Sequence, residues 1–294
     1  MTIALIDADL VAYRCAASAE KNDADIAMIR ASRLLTDIIS TTDASEVKLY
    51  LSGSTNFRKD VYPEYKANRD KLVRPTHLQP VREFLVKEWG AEVTDGYEAD
   101  DALGIQAEGL PETVVCSLDK DLLQIPGLHY NFVSREFRDI GRLEGWFNFY
   151  SQLVLGDRSD NVPGYDGKMR PKFPKFLFQT RDALHRSTTA FEMYKIVKDL
   201  YLDQGILTRN AKLLYILRSE EEWQNVKKEW QPPTQLDITL EAKPEEVLKL
   251  ESILMKQEGS SPSTERGGTR RKRGGSPKHG KKTVRLLAKK RREA

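Results

Sequence analysis

The feature that most constrains this 294-residue chain is a set of eight acidic residues in its first 160 positions. Each lies beside a strand-like run or a glycine turn, and they are Asp7, Glu98, Asp100, Asp101, Asp119, Asp121, Asp157 and Asp160. Carboxylates repel one another, and the repulsion grows as they are drawn together out of water. A fold that gathers them in one place therefore needs cations to hold them there.

Strand-like and helix-like segments alternate through the first half of the chain. We expect strands at Thr2–Ile6, Val47–Leu51 and Thr113–Ser117, and helices at Ala24–Ile39 and Pro80–Trp89. This alternation predicts an α/β fold with a central, mostly parallel sheet flanked by helices. Ligands of such sheets bind beyond the carboxyl ends of the strands, which is where Asp7 and Asp119 fall.

The character of the chain changes after about residue 150. Residues 156–172 are rich in turn formers and cations, and helix-like segments follow at Lys175–Leu184, Ala190–Leu202, Arg209–Leu217, Trp223–Trp230 and Pro244–Gln257. We therefore predict an α/β domain over residues 1–155, a helical region over 156–258, and a disordered basic tail over 259–294.

Charge is unevenly divided between the body and the tail. The tail has 13 Lys and Arg against 2 acidic residues, whereas the whole chain has a net charge of +3, so the body is acidic. A basic tail suggests attraction for a polyanion, and DNA tethering is the interpretation that we favour. No apolar run approaches the ~20 residues of a membrane span. Residues 1–12 do not resemble a signal peptide, so we expect a cytoplasmic, non-secreted protein.

The ligand chemistry of the acidic residues points to hard divalent cations. Carboxylate oxygens without histidine or cysteine partners favour Mg²⁺ or Mn²⁺ over zinc. Two such ions, ~3.5–4 Å apart, are suited to hydrolysing a phosphodiester. For a single acidic residue at a helix start, capping is the simpler interpretation; three acidic residues within Glu98–Asp101 are harder to explain as caps.

A basic and aromatic segment over about residues 55–80, here called the gateway segment, interleaves cations with rings. Its members include Phe57, Arg58, Lys59, Tyr62, Tyr65, Lys66, Arg69, Lys71 and Arg74. Cations for phosphates and rings for bases are typical of nucleic-acid binding, although a solvated loop has a similar composition.

Four motifs in order resemble the 5′-nuclease family of flap endonucleases and 5′→3′ exonucleases. They are YPEYKANRD, GYEADDALG, SLDKDLLQIPG and LGDRSDNVPG, and the resemblance covers about residues 1–200. The length of the chain, with no polymerase attached, is most similar to the replication exonucleases of bacteriophages. The resemblance implies a PIN-like nuclease domain, a helix–turn–helix DNA clamp, and two Mg²⁺ or Mn²⁺ ions held by all eight acidic residues.

The resemblance also implies roles for the cations. Lys66 and Arg69 would contact the scissile phosphate as catalytic residues, Tyr65 would stack on a terminal base, and Arg58 would bind DNA. In the clamp, positive charge that keeps duplex contact is provided by Lys168, Arg170, Lys172 and Lys175. A potassium ion often bound there in the family is doubtful here, because the regular glycine turn is replaced by DGKMRPK.

One departure concerns the second strand, after which relatives usually have an aspartate. Here residues 51–54 are Leu-Ser-Gly-Ser, so Ser52 or Ser54 would have to act through water, or the first ion would keep more waters. Asp9 is a candidate supplement, although we expect it to cap the following helix.

The sequence as a whole predicts a metal-dependent nuclease acting on DNA 5′ ends, flaps and nicked duplexes, as a monomer. RNA in RNA–DNA hybrids is a further expected substrate. Two alternatives stay open: a PIN-type ribonuclease, and a non-catalytic DNA-binding relative with an incomplete metal site. The gateway and clamp motifs argue against the first, whereas the missing second-strand aspartate motivates the second.

Overall fold

Strands and helices alternate along the first 140 residues, and helices dominate thereafter. The computed structural model describes residues 1–226 and 230–233. The elements are β1 Ile3–Asp7, α1 Ala8–Ser18, α2 Ala24–Thr42, β2 Glu46–Leu51, α3 Phe57–Val61, α4 Leu78–Trp89, β3 Glu92–Val93, α5 Ala99–Gly109, β4 Thr113–Cys116, β5 Gly127–Asn131, β6 Glu136–Ile140, α6 Arg142–Leu155, β7 Gly156–Asp157, β8 Val162–Pro163, α7 Phe178–Arg186, α8 Ala190–Leu200, α9 Gln204–Leu214 and α10 Glu220–Val226.

Six strands form one sheet in the order β3-β2-β1-β4-β5-β6, with β1 near the centre. All neighbours run parallel except β5 and β6, which form an antiparallel hairpin. Asp7 pairs with Tyr50 of β2, and Ile6 pairs with Cys116 of β4. The carboxyl ends of three strands therefore lie level at one edge, and the predicted α/β class with a mostly parallel sheet is confirmed.

Helices cover both faces of the sheet because β1 is apolar on both sides. Ala4 and Ile6 pack into one core with α1, α2 and α4, whereas Ile3 and Leu5 pack into another with α5. This is the period of two expected for a strand buried on both faces. Each fully buried aliphatic side chain contributes about 1.5–3 kcal/mol, so the register at the site edge is strongly fixed.

A further core joins the gateway segment to the helices after residue 145. Phe57 and Tyr65 pack there with residues of α6, α8 and α9. The polar and basic composition of the gateway segment suggests a solvated loop, but these two side chains are buried because the apolar helices provide a place for them. The division of the chain at residue 155 stays a prediction; by backbone contacts, the described residues belong to one compact unit.

The predicted helices and strands occur with shifted ends. The helix predicted to end at Ile39 continues to Thr42, and its cap Asp43 has a left-handed φ of 53°. The β5–β6 hairpin and α6 were not predicted from the sequence. The Pro244–Gln257 helix and the basic tail lie outside the described residues. Among the described helices, none is long and apolar enough to cross a membrane.

Candidate active site

Asp7 ends the central strand and is almost fully buried at 3% exposure. Its carboxylate caps α1 by accepting a hydrogen bond from the amide of Leu10 (3.1 Å), and it accepts another from the hydroxyl of Ser117 (2.9 Å). Ser117 follows β4, so this contact joins the ends of two neighbouring strands. Ser117 is also the first residue of the SLDKD motif, two positions before Asp119, and the sequence analysis assigns it no role.

Other acidic residues reach the same edge from loops and helix starts. Glu98 and Asp100 lie at the beginning of α5, and Asp119 and Asp121 follow β4. The carboxylate of Asp119 accepts from the amide of Asp121 at 2.9 Å. These short turns present several carboxylates toward one place, as their spacing after strands predicts.

The Asp157–Asp160 pair lies in the turn between β7 and β8. Asp157 is 3% exposed and accepts hydrogen bonds from the amide and hydroxyl of Ser159, both at 2.7 Å. Gln152 of α6 donates to the other oxygen of Asp157 at 3.4 Å. Asp157 therefore shapes the turn that carries Asp160, and Gln152 is a residue of the site that sequence reasoning missed.

Burial, and after it the charges of neighbouring carboxylates, raises the pKa of several carboxyls in this group. Burial, followed by the charges of Asp9 and Asp119, raises the pKa of Asp7 to about 7. Burial and the charges of Asp119, Asp157 and Asp160 raise the pKa of Asp121 to about 8. Burial, Asp7 and Asp119 likewise raise the pKa of Asp100.

Burial and neighbouring charges also couple the remaining acidic residues to this group. Burial also raises the pKa of Asp160, and the charges of Glu98 and Asp157 add to it. We call the seven residues connected in this way the acidic cluster: Asp7, Glu98, Asp100, Asp119, Asp121, Asp157 and Asp160. The protein alone does not stabilise the full negative charge of the cluster.

Two cations of the gateway segment contact the acidic cluster directly. The ammonium of Lys66 lies 2.5 Å from Glu98 and 3.8 Å from Asp160, and the guanidinium of Arg69 lies 2.7 Å from Asp160. Burial alone would raise the pKa of Glu98, but the charges of Lys66 and Arg58 lower it to about 2. The protein therefore stabilises the negative charge of Glu98.

A small cavity of about 20 Å³ opens among these side chains. Four carboxylates line it, from Glu98, Asp100, Asp121 and Asp160, together with Gln152. This is room for about one water molecule or ion.

Arg58 and Asp101 do not occupy the positions that the sequence predicts. Arg58 is 2% exposed, and its guanidinium forms two hydrogen bonds with Asp101, at 2.6 and 2.8 Å. Asp101 is 0% exposed and also accepts from the amides of Glu98 and Leu217. Both oxygens of Asp101 are thus engaged, and Arg58 has no free face for a phosphate. We therefore correct both assignments: the two residues form a buried structural ion pair.

Tyr65 is also buried, with 2% exposure, so its predicted stacking on a terminal base is wrong for this structure. Its hydroxyl lies between two carboxylates, 3.0 Å from Glu98 and 2.9 Å from Asp160. The hydroxyl of Tyr65 thus links these two acidic residues, and its ring packs in the hydrophobic core.

Ser52 follows β2, at the position where the resemblance predicts an aspartate. The hydroxyl of Ser52 accepts from the amide of Ala99 (3.0 Å) and so caps α5, while its own amide donates to Asp9 (2.8 Å). Arg82 of α4 forms an ion pair with Asp9 and donates to the carbonyl of Ser52 at 2.6 Å. Asp9 is therefore not the cap of α1, a role taken by Asp7; Asp9 instead brings a carboxylate to the end of β2.

The predicted clamp cations lie around a turn after β8. The amide of Gly164 donates to the carbonyl of Lys168 at 2.8 Å, and Gly167 has the positive φ of 76° that the turn requires. Lys168, Lys172 and Lys175 are exposed, as contact with a polyanion requires. Arg170 instead pairs with Asp166 at 2.5 Å.

The donor set of the acidic cluster fits a magnesium-class ion. It consists of carboxylate oxygens, and burial together with neighbouring negative charges raises the pKa of Asp7 to about 7 and that of Asp121 to about 8. As they stand, no three acidic, histidine or cysteine side chains among the described residues enclose one ion position. The carboxylate of Glu98 is paired with the ammonium of Lys66. Side chains of the cluster would therefore have to rotate before three carboxylates could surround one ion.

The fold is an α/β domain with a mostly parallel sheet, and the acidic cluster lies across the carboxyl edge of that sheet. Residues 2–142 match the family model of the 5′-3′ exonuclease N-terminal, resolvase-like domain. This segment, just under half of the chain, therefore resembles the N-terminal domain of 5′-3′ exonucleases.

Curated relatives agree with this family. The chain is 31% identical over 191 residues to DNA polymerase I of Borreliella burgdorferi, covering 56% of this chain and 20% of the relative. It is 26% identical over 180 residues to the 5′-3′ exonuclease of Buchnera aphidicola, covering 56% of this chain and 59% of the relative. The chain thus spans only part of the length of these relatives.

Solved structures share the fold. The T5 D15 protein co-crystallised with metal ions matches with a TM-score of 0.58 at 14% identity, over 87% of this chain and 99% of that one. A T5 D15 flap endonuclease variant in a pseudo-enzyme–product complex with DNA and metal ions matches with a TM-score of 0.55, also at 14% identity, over 87% of this chain and 98% of that one.

Proposed function

We propose that the chain is a divalent-metal-dependent 5′ nuclease that hydrolyses phosphodiester bonds at DNA 5′ ends, flaps and nicks. The observation that carries the proposal is the meeting of two opposite sets of charges. Carboxylates from strand ends and loops gather at one edge of the sheet, and Lys66 and Arg69 of the gateway segment reach the same carboxylates. A site of this kind suits a substrate that is itself an anion and arrives with cations.

We assign the metal ligands to the acidic cluster, with two Mg²⁺ or Mn²⁺ ions as the expected number. Bound there, such ions would activate a water molecule and stabilise the leaving oxygen. A bound ion would stabilise the ionised forms of Asp7, Asp100 and Asp121 most, because burial and then neighbouring negative charges raise the pKa of each. Asp157 acts chiefly by holding the turn of Asp160.

The cations of the gateway segment then face the substrate. Lys66 and Arg69 lie against Glu98 and Asp160, from which they are placed to neutralise charge on the scissile phosphate. The exposed Lys168, Lys172 and Lys175 would bind duplex phosphates beside the site. RNA–DNA hybrids are included as substrates, since these contacts are to phosphates and do not read the sugar.

The proposal is tested with a 5′-labelled flap and a nicked duplex in Mg²⁺, with EDTA as the metal-free reference. The wild-type chain should release labelled product, and Asp121→Asn should not. Asp37→Asn is the matched control, because Asp37 forms an exposed ion pair with Arg135 and lies outside the acidic cluster. Release of product by Asp121→Asn at the wild-type rate would contradict the proposal.

Two further results of this assay discriminate the alternatives. Cleavage of single-stranded RNA with none of DNA would indicate a PIN-type ribonuclease. Binding of flap DNA without cleavage would indicate a non-catalytic relative, for which Ser52 at the end of β2 is the motivating observation.

Lys66 is tested separately by single-turnover cleavage. We expect Lys66→Ala to slow cleavage roughly 100-fold, the scale on which removal of one preorganised donor acts, while Mg²⁺ still raises the Tm of the variant. An unchanged single-turnover rate would rule out the assigned role.

A further inference from the structure

The end of β2 offers no carboxylate to a metal ion. Leu51 is fully buried in the core that α1 and α2 share. A Cβ at Gly53 would lie 2.1 Å from the carbonyl oxygen of Thr94, so that position has no room for a side chain. Ser52 lies between them, and its hydroxyl caps α5 by accepting from the amide of Ala99 at 3.0 Å. A metal ion at this edge of the sheet therefore receives no negative charge from residues 51–53.

Asp9, in the first turn of α1, provides a carboxylate at the same place. One of its oxygens accepts from the amide of Ser52 at 2.8 Å, and the other is paired with the guanidinium of Arg82 in α4. Asp9 lies two residues after Asp7, and its charge adds to the effect of burial in raising the pKa of Asp7. The carboxylate of Asp9 thus lies beside the end of β2, close enough to Asp7 for the two charges to interact.

The ion pair with Arg82 leaves the carboxylate of Asp9 able to serve an ion. The side chains of Asp9 and Arg82 are 31% and 23% exposed. Ion pairs that water reaches are weak, so an ion of higher charge can compete with Arg82 for the carboxylate. Each carboxylate oxygen also accepts more than one hydrogen bond. The oxygen that accepts from the amide of Ser52 can therefore accept from a metal-bound water as well.

We propose that Asp9 takes over the role of the absent second-strand carboxylate and binds, through a water molecule, the divalent ion that Asp7 holds. Magnesium keeps several of its waters in protein sites, so an outer carboxylate that accepts from such a water stabilises the bound ion. Arg82 pairs with this carboxylate in the metal-free protein and competes with the ion for it. The inference rests on the proposed function, since it concerns an ion of the same site.

The test is isothermal titration calorimetry of the full chain with MgCl₂, which measures ion binding without a substrate. Asp9→Asn keeps an oxygen that accepts from the amide of Ser52 but removes the charge. It should weaken Mg²⁺ binding about tenfold, the lower end of the range for an outer-shell partner. Asp25→Asn is the matched control, because Asp25 is an exposed acidic residue in the first turn of α2, and it should bind Mg²⁺ as the wild type does.

Arg82→Gln distinguishes ion binding from a purely structural role of Asp9. If Asp9 only anchors Arg82 and the end of β2, loss of either partner breaks the same ion pair, and both variants should weaken Mg²⁺ binding equally. If Asp9 serves the ion, Arg82→Gln removes a competing cation and should bind Mg²⁺ at least as tightly as the wild type. Weaker Mg²⁺ binding by Arg82→Gln overturns the inference. Thermal melting in EDTA checks that each variant is folded.

A double variant moves the carboxylate from α1 to the end of β2. Adding Ser52→Asp to Asp9→Asn places a carboxylate after the strand, where it still offers an acceptor to the amide of Ala99. The double variant should regain the Mg²⁺ affinity of the wild type. If it binds Mg²⁺ no more tightly than Asp9→Asn alone, the two positions are not interchangeable and the inference fails.

The outcomes separate the inference from the nuclease proposal. Weakened Mg²⁺ binding by Asp9→Asn, in a chain that cuts no flap, supports the inference while the nuclease proposal fails. Wild-type Mg²⁺ affinity of Asp9→Asn, in a chain that cuts flaps, overturns the inference alone. Absence of Mg²⁺ binding by the wild type overturns both.

Discussion

At the scale of single residues, neighbouring aspartates at the start of α5 have opposite surroundings. Asp101 points into the protein and pairs with the buried Arg58, whereas Asp100 faces the acidic cluster, where burial, Asp7 and Asp119 raise its pKa. The sequence motif treats them as equivalent ligands. The structure makes Asp101 a structural residue and leaves Asp100 as a candidate ligand.

This difference predicts opposite effects of the same substitution. Asp101→Asn leaves the charge of Arg58 buried without its counter-ion and should lower the free energy of unfolding by about 3–5 kcal/mol. Asp100→Asn is the matched comparison: it removes a repelled charge and should leave stability in EDTA unchanged or raised. Urea unfolding in EDTA measures both, and an equal loss for the two variants would contradict the assignment.

At the scale of elements, the path of the chain past the site depends on close backbone contacts around α5. A Cβ at Gly104, in the middle of this helix, would lie 2.2 Å from the carbonyl oxygen of Leu217. The segment that carries Leu217 also accepts hydrogen bonds from Arg58 through the carbonyls of Leu213 and Tyr215. At Gly104, α5 therefore packs against the segment that follows α9 with no room for a side chain.

Gly104→Ala should therefore destabilise the chain by about 1–3 kcal/mol through overpacking. Gly109→Ala in the same helix provides the control, since a Cβ there meets nothing within 4 Å. That substitution should be neutral or stabilising by up to about 1 kcal/mol, owing to the helix propensity of alanine. Thermal unfolding of the two variants checks the contrast; a stabilised Gly104→Ala would mean that α5 can move away from Leu217.

The sequence predicts three adjacent strands of the sheet, β2, β1 and β4, because their signals are local. Thr113–Ser117 is an apolar run rich in β-branched residues. A strand that is buried on both faces has this kind of sequence, so the strand can be predicted from it. The gateway segment was predicted less well, because the cations and rings that bind nucleic acid have the same composition as those that form a buried ion pair. Periodicity says which face of an element is apolar, but it does not say that Asp101 lies opposite Arg58.

At the scale of the whole molecule, the acidic cluster links the stability of the fold to its cations. The site could be predicted from the placement of Asp7 and Asp119 after strands, since parallel strands bring their carboxyl ends to one edge. The contributions of Gln152 and Arg82 could not be predicted, because each depends on a contact between distant elements. In the acidic cluster itself, burial and charge repulsion of the carboxylates oppose folding.

This repulsion predicts how stability depends on pH without metal. The pKa values of Asp7 and Asp121, about 7 and about 8, lie above the usual value of 3.8 for aspartate in the unfolded chain. Between these limits the folded state binds more protons than the unfolded state, so the free energy of unfolding in EDTA should fall as the pH rises from about 4 to about 8. We expect a loss of at least about 2 kcal/mol, since one pKa unit corresponds to about 1.4 kcal/mol.

Divalent ions should reverse this loss, because an ion bound to the ionised carboxylates stabilises the folded state alone. The rise in Tm on adding Mg²⁺ should therefore be larger at pH 8 than at pH 5.5. Asp121→Asn should flatten the pH dependence in EDTA and reduce the Mg²⁺ effect, whereas Asp37→Asn, which removes an exposed partner of Arg135, should change neither. A Tm that is independent of Mg²⁺ at pH 8 would show that the cluster does not bind the ion, because the repulsion would then stay uncompensated.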